Sequence, residues 1–257
     1  MKIHFYKYQA TGNDFVMIDN RSAGYSFSID QIKTICDRKF GVGADGLMLI
    51  EKHPDQDFNL IYYNSDGSQS LCGNGSRAAV SMASALGIVN GKTTFNAYDG
   101  SHTAELTSDG IVRLRMNDVA RSEKKENHYF INTGSPHVVR FVKEVDAHPV
   151  FDEGRSIRYS DAYKPNGTNV NFVELLPNNR IFVRTYERGV ENETLSCGTG
   201  IVAAALASSF HGYTSPISVK ALGGDLSVEF KSGPNGTFAD IFLIGPAKLV
   251  FEGDLEL

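Results

Sequence analysis

The sequence predicts a mixed α/β protein built from two similar halves, and three observations lead to that prediction. A Cys-Gly-x-Gly motif occurs twice, at residues 72–75 and 197–200, about half the chain apart. Each copy precedes an alanine-rich run that ends at a glycine, which is typical of a helix. Most of the remaining chain consists of short β-branched or aromatic runs, which are typical of strands. The 257 residues are enough for one large domain or two smaller ones.

The element boundaries follow from these patterns. Helices are predicted over Ser76–Leu86, Ile201–Phe210 and Ile29–Lys39, the last with Ser28 as its N-cap. Strands are predicted at 4–8, 47–50, 58–63, 111–116, 170–175 and 181–186. The charged stretch 121–128 has no apolar face, so it fits either a boundary between halves or a solvated turn.

Composition excludes several classes of protein. With 25 basic and 30 acidic residues the net charge is −5, and a nucleic-acid surface needs a basic stripe instead. No apolar run approaches the ~20 residues of a membrane span, and the first residues lack the apolar core of a signal peptide. We therefore expect a cytoplasmic protein. Three cysteines without a Cys-x-x-Cys pair argue against a disulfide scaffold and against a metal site.

Cys72 and Cys197 are the first candidates for catalysis. Each lies just before a predicted helix N-terminus, where partial positive charge and free N–H groups lower the pKa of a thiol. A lone Cys-Gly is more often a small buried hydrophobe. Two copies in matching contexts favour function instead. Cys36 has no such context, and we interpret it as a core residue.

The other polar segments are ambiguous when taken singly. Residues 41–46 match a dinucleotide-binding pattern, but no strand precedes them and a strand follows, so we interpret them as a turn. The segments around Asn13, Asn64 and Asn169 fit ordinary turn chemistry. The pair Glu187-Arg188 could be an exposed ion pair, and His137 a structural histidine.

Taken together and in order, these segments resemble the diaminopimelate epimerase family. The resemblance spans residues 12–205, and its most specific parts are the two cysteine motifs and the Glu-Arg-Gly segment. The matching segments are Gly12-Asn13-Asp14-Phe15, Gly43-Ala44-Asp45-Gly46, Asn64-Ser65-Asp66-Gly67-Ser68, Cys72-Gly73-Asn74-Gly75, Pro136-His137, Gly167-Thr168-Asn169-Val170, Tyr186-Glu187-Arg188-Gly189, Glu193-Thr194 and Cys197-Gly198-Thr199-Gly200.

The resemblance implies a fold and an activity. The family fold has two pseudo-symmetric α/β halves, each a sheet curled around a central helix, with the active site in the cleft between them. Here the halves would be residues 1–118 and 119–247, with a last strand at about 248–257 returning to the first half. The implied activity is the interconversion of L,L- and meso-diaminopimelate in lysine and cell-wall precursor biosynthesis. No pyridoxal phosphate or other cofactor is implied, and the enzyme would be a homodimer.

The resemblance also implies residue roles. Cys72 and Cys197 would act on opposite faces of the α-carbon as a thiolate and a thiol, a form of general acid–base catalysis. His137 and Glu187 would assist the thiols, and Glu187 would also accept from a substrate ammonium. The remaining implied substrate-binding residues are Asn13, Asn64, Asn169 and Arg188, with Arg188 on the distal carboxylate, and the N–H groups around Gly73, Asn74, Gly198 and Thr199. Ser135 stands where the family usually has asparagine before Pro-His.

Two other functions compete with this one. Proline racemases and hydroxyproline epimerases resemble the same fold and use two cysteines, but typically have histidine where this chain has Asn74. A thiol-bearing sensor or binding protein without enzymatic activity would explain the cysteines, but not the surrounding carboxylate-binding groups. Exchange of the substrate α-hydrogen in deuterated water separates these classes.

Overall fold

Two groups of elements, each with its own run of paired strands and its own buried helix, make up the structure. The computed structural model describes residues 2–22, 24–70 and 72–256. One compact unit comprises Met1–Leu114 with Gly245–Leu257, and the other comprises Arg115–Ile244. The division at residues 118 and 247 that the sequence suggested stays a prediction. We call the two units the N-terminal and C-terminal units.

The elements alternate between strands and a few helices, as the sequence predicted. The helices are α1 (Ile29–Cys36), α2 (Gly73–Ala85), α3 (Val150–Arg158) and α4 (Gly198–Ser208). The strands are β1 (Lys2–Ala10), β2 (Asn13–Asp19), β3 (Gly46–Glu51), β4 (Phe58–Asn64), β5 (Lys92–Ala97), β6 (Gly100–Leu106), β7 (Ile111–Arg115), β8 (Ser122–Lys124), β9 (Tyr129–Asn132), β10 (Pro136–Phe141), β11 (Asn169–Leu176), β12 (Arg180–Glu187), β13 (Asn192–Thr194), β14 (Ile217–Ala221), β15 (Gly224–Ser232), β16 (Phe238–Pro246) and β17 (Lys248–Glu256).

The two units pair their strands in the same pattern. The N-terminal order is β17-β1-β2-β3-β4-β5-β6-β7, with parallel pairs only at β2/β3 and β4/β5. The C-terminal order is β8-β9-β10-β11-β12-β14-β15-β16, with parallel pairs only at β10/β11 and β12/β14. Helix connections bridge each parallel pair, α1 and α2 in one unit and α3 and α4 in the other. The repeat seen in the sequence is therefore a repeat of topology.

A buried alanine-rich helix lies at the centre of each unit. In α4 every residue from Gly200 to Ser208 is buried, and in α2 ten of thirteen residues are buried. Helix α2 contacts β1, β2, β3, β4, β6 and β17, while α4 contacts β9, β10, β11, β12, β14 and β15. A helix that is buried on nearly every face must be wrapped by its sheet. This confirms the predicted curled sheet around a central helix.

Both central helices begin three residues earlier than the sequence analysis placed them. They start at Gly73 and Gly198 rather than at Ser76 and Ile201. The sequence places these glycines in the preceding loop, because glycine is a poor helix former. In the first helical turn the N–H groups have no intrahelical partner, and other contacts decide which residue fits there.

Two further boundaries differ from the sequence prediction. Helix α1 ends at Cys36, not Lys39, because the Asp37 carboxylate accepts from the N–H groups of Lys39 and Phe40 and turns the chain. Its N-cap is Ser28, as predicted, with a reciprocal bond from Gln31. The charged stretch 121–128 contains strand β8, which pairs with β9. Among the described residues no helix is long and apolar enough to cross a membrane.

Candidate active site

Cys72 and Cys197 occupy the same structural position in their two units. Cys72 is the N-cap of α2 with φ −131° and ψ 109°, and Cys197 is the N-cap of α4 with φ −110° and ψ 108°. Each thiol is therefore held at the positive end of a helix dipole, which favours negative charge. Cys72 is half-buried and Cys197 is buried.

A glycine at the third helical position lets each cysteine loop lie against the sheet. A Cβ on Gly75 would collide with the Met48 side chain, and a Cβ on Gly200 would collide with the Asn171 amide oxygen. Met48 and Asn171 are the third residues of β3 and β11, which are equivalent strands. The second glycine of each Cys-Gly-x-Gly motif is thus required by close packing.

An oriented amide faces Cys72 in the N-terminal unit. The Asn13 side-chain nitrogen donates to the Asp45 carboxylate at 2.6 Å. That contact points the Asn13 carbonyl oxygen at the Cys72 Sγ, 3.5 Å away, and at the Asn74 side-chain nitrogen, 3.3 Å away. The Gly75 N–H also donates to the Cys72 Sγ at 3.3 Å. Asn13, Asn74 and Cys72 are therefore brought together.

Asp45 is itself held by a charged cluster behind Asn13. Arg38 donates to both Asp14 and Asp45, at 2.6 and 2.8 Å, and Lys7 lies 2.7 Å from Asp14 and donates to the Gly43 carbonyl. Burial raises the pKa of Asp14, but the hydrogen bonds from Arg38 and Lys7 outweigh it and lower the pKa to about 2. Asp14 is consequently ionised near neutral pH.

A hydroxyl and a histidine accompany Cys197 in the C-terminal unit. The Thr199 Oγ1 lies 3.6 Å from the Cys197 Sγ and 2.9 Å from the His137 Nε2. The Ser135 Oγ lies 2.9 Å from the same nitrogen and 3.2 Å from the Thr199 Oγ1. His137 therefore reaches Cys197 through Thr199, and Ser135 completes the contact in the place where the family usually has asparagine.

His137 is neutral in this structure. The ring is completely buried, and burial together with the charge of Arg188 lowers its pKa to about 3. At neutral pH the ring carries one proton, so it can donate from one nitrogen and accept at the other. This makes His137 a hydrogen-bonding group with fixed polarity.

The residues proposed for the rest of the substrate lie at strand ends. Asn169 is buried; its amide nitrogen donates to Ser135 and to the Pro136 carbonyl, while its oxygen accepts from the Arg188 N–H. The Arg188 guanidinium, half-buried, donates to the Asn166 carbonyl at 3.1 Å. Asn169 and Arg188 are thereby held side by side at the ends of β11 and β12.

Glu187 and Asn64 also end strands. The Glu187 carboxylate accepts from the Thr194 hydroxyl at 2.8 Å. The Asn64 side-chain nitrogen lies 3.0 Å from the Ser68 Oγ and 3.2 Å from the Ser70 Oγ, so it orders the loop that leads toward Cys72. Asn64 and Glu187 hold equivalent places in the two units. Asn64 lies opposite Gly46, the first residue of β3. Glu187 follows Tyr186, which pairs with Val170, the second residue of β11.

Two buried residues near the cysteines were missed by the sequence reasoning. Asn171 is fully buried beside His137, and Arg77 is fully buried on α2 with one nitrogen 3.1 Å from the Thr11 hydroxyl. Burial lowers the pKa of Arg77 to about 10. Alignment of the two halves would have found Asn171, because its partner position holds an apolar Met48. A charged residue inside an alanine-rich helix was the signal for Arg77.

Cys36 lies apart from both cysteine motifs. It is buried in the apolar cluster formed by β1, β2, β3 and α1, and burial raises the pKa of its thiol to about 11. Within the described ranges no group of three or more His, Cys, Asp or Glu residues is placed to hold a metal ion.

Comparison with known proteins identifies the family. The family model described as diaminopimelate epimerase matches residues 5–121 and 129–250. The chain belongs to the diaminopimelate epimerase family. It is 48% identical over 251 residues to the diaminopimelate epimerase of Flavobacterium psychrophilum, covering 96% of this chain and 98% of that protein. The diaminopimelate epimerase of Chlorobaculum tepidum is 41% identical over 259 residues, with 96% and 98% covered.

Solved structures share the fold at low identity. A phenazine biosynthesis protein of the PhzF family from Bacillus anthracis superposes with a TM-score of 0.78 at 14% identity, over all of both chains. A hydroxyproline epimerase from Agrobacterium vitis gives a TM-score of 0.70 at 13% identity, over 100% of this chain and 93% of that one. These likenesses show the fold alone. The family match favours diaminopimelate epimerase over the proline racemase alternative.

Proposed function

We propose that this protein interconverts L,L- and meso-diaminopimelate by proton transfer at an α-carbon, with Cys72 and Cys197 as the acid–base pair. One observation carries the proposal: two cysteines occupy the same N-cap position on the two central helices of a duplicated fold. Inversion of a carbon centre needs a base on one face and an acid on the other. A duplicated cysteine loop supplies one thiol for each role.

Stabilising the carbanion is the harder part of the reaction. The α-hydrogen becomes acidic only if negative charge spreading into the adjacent carboxylate is stabilised. The first turns of α2 and α4 include the backbone N–H groups of Gly73, Asn74, Gly198 and Thr199, at the ends where N–H groups point out of a helix. Donors of this kind, aimed at a developing oxyanion, contribute about 2.7–4 kcal/mol each. We assign them to the reacting carboxylate.

The distal amino-acid end defines the substrate. Arg188 carries a fork of N–H groups suited to a carboxylate, and Glu187 offers a carboxylate for an ammonium. Asn64 and Asn169 would add hydrogen bonds to the same end. Proline has no second amino-acid end, so it would make none of these contacts.

The direct test is a substrate panel. We expect epimerisation of L,L-diaminopimelate and none of L-proline or trans-4-hydroxyproline, measured by exchange of the α-hydrogen in deuterated water. Exchange into proline would favour assignment as a proline racemase. Binding of diaminopimelate without exchange would favour a binding protein.

We also propose a cytoplasmic homodimer. A reducing compartment would keep the thiol pair free. Strand β17 exposes three apolar side chains, Leu249, Val250 and Phe251, each about half accessible. Exposed apolar side chains of this kind support a contact with a second copy of the chain. We expect sedimentation at the mass of two chains, and a monomer after Val250→Lys.

A further inference from the structure

The equivalent interior positions of the two units are filled differently. Strand registers align Phe15 with His137, because Phe15 lies opposite the first residue of β3 and His137 opposite the first residue of β11. Met48 and Asn171 are also at equivalent positions, because they are the third residues of β3 and β11. All four side chains are fully buried. The N-terminal unit thus fills with apolar side chains the positions where the C-terminal unit has a histidine and an amide.

A buried polar pair that the fold does not require needs another explanation. Burying polar groups costs free energy unless each is hydrogen-bonded, and an apolar pair fits the same scaffold. The pair in the C-terminal unit is fully bonded. The Asn171 nitrogen donates to the Val138 carbonyl at 3.0 Å and contacts the His137 Nδ1 at 3.1 Å.

The orientation of the Asn171 amide is set by its neighbours. The Val138 carbonyl can only accept, so the amide group facing it must be the nitrogen. The Thr185 hydroxyl donates to the Asn171 oxygen at 2.9 Å on the other side. The His137 Nδ1 therefore faces an N–H donor and must be the unprotonated nitrogen of the ring. The single ring proton is then on Nε2.

A proton on Nε2 directs the hydrogen bonds beyond the ring. The His137 Nε2–H donates toward the hydroxyl oxygens of Ser135 and Thr199, both 2.9 Å away. Ser135 also accepts from the Asn169 nitrogen at 3.2 Å, which leaves its own proton for Thr199. Thr199 then accepts twice and keeps its hydroxyl proton for the Cys197 Sγ at 3.6 Å. The hydrogen bonds from His137 through Ser135 and Thr199 therefore all run in the direction of the Cys197 sulfur.

We propose that Asn171 is a positioning residue that fixes the Nε2–H form of His137, so that the Thr199 hydroxyl donates a hydrogen bond to Cys197 and stabilises that sulfur as a thiolate. This inference rests on the proposed function for its kinetic consequence only. If the ring carried its proton on Nδ1, Nε2 would draw the Thr199 proton away from the sulfur.

The first test needs no variant. Nitrogen-15 NMR of histidine-labelled wild-type protein distinguishes the two neutral forms of His137, with the signals assigned by their loss in His137→Gln. We expect neutral Nε2–H between about pH 6 and pH 8. A ring protonated on Nδ1, or on both nitrogens, overturns the inference. The outcome does not depend on the substrate, so a chain inactive on diaminopimelate would overturn the proposed function alone.

Variants test the consequence. Asn171→Asp replaces the donor by an acceptor of the same shape, and we expect the ring proton to move to Nδ1 and kcat to fall about 10²-fold with KM changed little. Thr199→Val should lower kcat by a similar factor, and Thr199→Ser should retain the wild-type kcat. The double variant Asn171→Asp, Thr199→Val should have a kcat little lower than that of either single variant. A folded Asn171→Asp that keeps Nε2–H, a Thr199→Val with unchanged kcat, or losses confined to KM would overturn the inference. If Asn171→Asp fails to fold, the wild-type spectrum and the comparison of Thr199→Val with Thr199→Ser still test the inference.

Discussion

The two cysteine sites differ in what faces the sulfur. In the N-terminal unit the Asn13 amide oxygen lies 3.5 Å from the Cys72 Sγ and can only accept a hydrogen bond. In the C-terminal unit a hydroxyl, that of Thr199, lies 3.6 Å from the Cys197 Sγ and can donate one. The backbones around both cysteines are nearly the same. A duplicated scaffold thus supplies two equivalent thiols, and side chains alone make them unequal.

The means of orientation differ in the same way. Asn13 is aimed by the Asp45 carboxylate, within a charged cluster at the surface of its unit. His137 is aimed by a neutral amide, Asn171, in the fully buried interior. Exposed charge pairs contribute little and are screened by salt, whereas buried neutral networks are not. The C-terminal site should therefore be the less sensitive of the two to ionic strength.

The largest expected effect comes from removing either sulfur. Cys72→Ala and Cys197→Ala should each lower epimerisation about 10²–10⁴-fold or more, since each removes one partner of the acid–base pair. Cys36→Ala is the matched control, because Cys36 lies in the core and outside both loops. Turnover is compared beside a thermal melt. Normal turnover in either active-site variant would show that the two thiols do not share the reaction.

The next effect tests whether the polar interior of the C-terminal unit is needed for catalysis or for folding. The double variant His137→Phe, Asn171→Met copies the Phe15 and Met48 pair of the other unit. We expect a folded protein whose kcat falls about 10²-fold. A double variant with normal kcat would mean that the polar pair is a packing feature.

Specificity should depend unequally on the two units. Arg188→Lys should reduce kcat/KM on diaminopimelate roughly 30-fold, because lysine does not reproduce a two-pronged contact and losing one partner of a charge pair costs about 2–5 kcal/mol. Asn64→Ala should cost less, about 10-fold, since it removes neutral hydrogen bonds. Steady-state kinetics on L,L-diaminopimelate decide. An unimpaired Arg188→Lys would make Arg188 an ordinary surface residue.

The smallest effect is on stability against pH. The pKa of His137 falls from 6.5 to about 3 on folding. Between these two pH values the unfolded chain binds a proton at His137 that the native protein does not bind. Stability conferred by the neutral ring is complete above about pH 6.5 and is lost as pH falls, by up to about 1.4 kcal/mol per pH unit. Denaturation of His137→Phe between about pH 4 and pH 6.5 should show a shallower slope, and an unchanged slope would contradict the burial argument. Asp14, with its pKa near 2, adds its own loss only at lower pH.

The sequence was informative where a pattern repeats. The two Cys-Gly-x-Gly motifs predicted two halves and two helices, and β-branched or aromatic runs predicted the central strands, because periodicity and helix stops are local signals. It misplaced the helix starts, since glycine is a poor helix former and Gly73 and Gly198 nevertheless begin the two helices. It also missed Asn171, whose amide orientation depends on the Val138 carbonyl and on Thr185 across two strands. Tertiary contacts of this kind leave no local signal.

Whether two thiols act on one α-carbon can be determined from the molecule in which the first solvent deuterium appears. L,L-diaminopimelate is incubated with enzyme in deuterated water, and both diastereomers are analysed by mass spectrometry at low conversion. With two bases, the product receives solvent deuterium from the second thiol while recovered substrate keeps its original hydrogen, so early label should appear almost entirely in the meso product. Label appearing equally in recovered substrate and product from the start would indicate one base serving both faces, and would contradict the assignment of Cys72 and Cys197 as a pair.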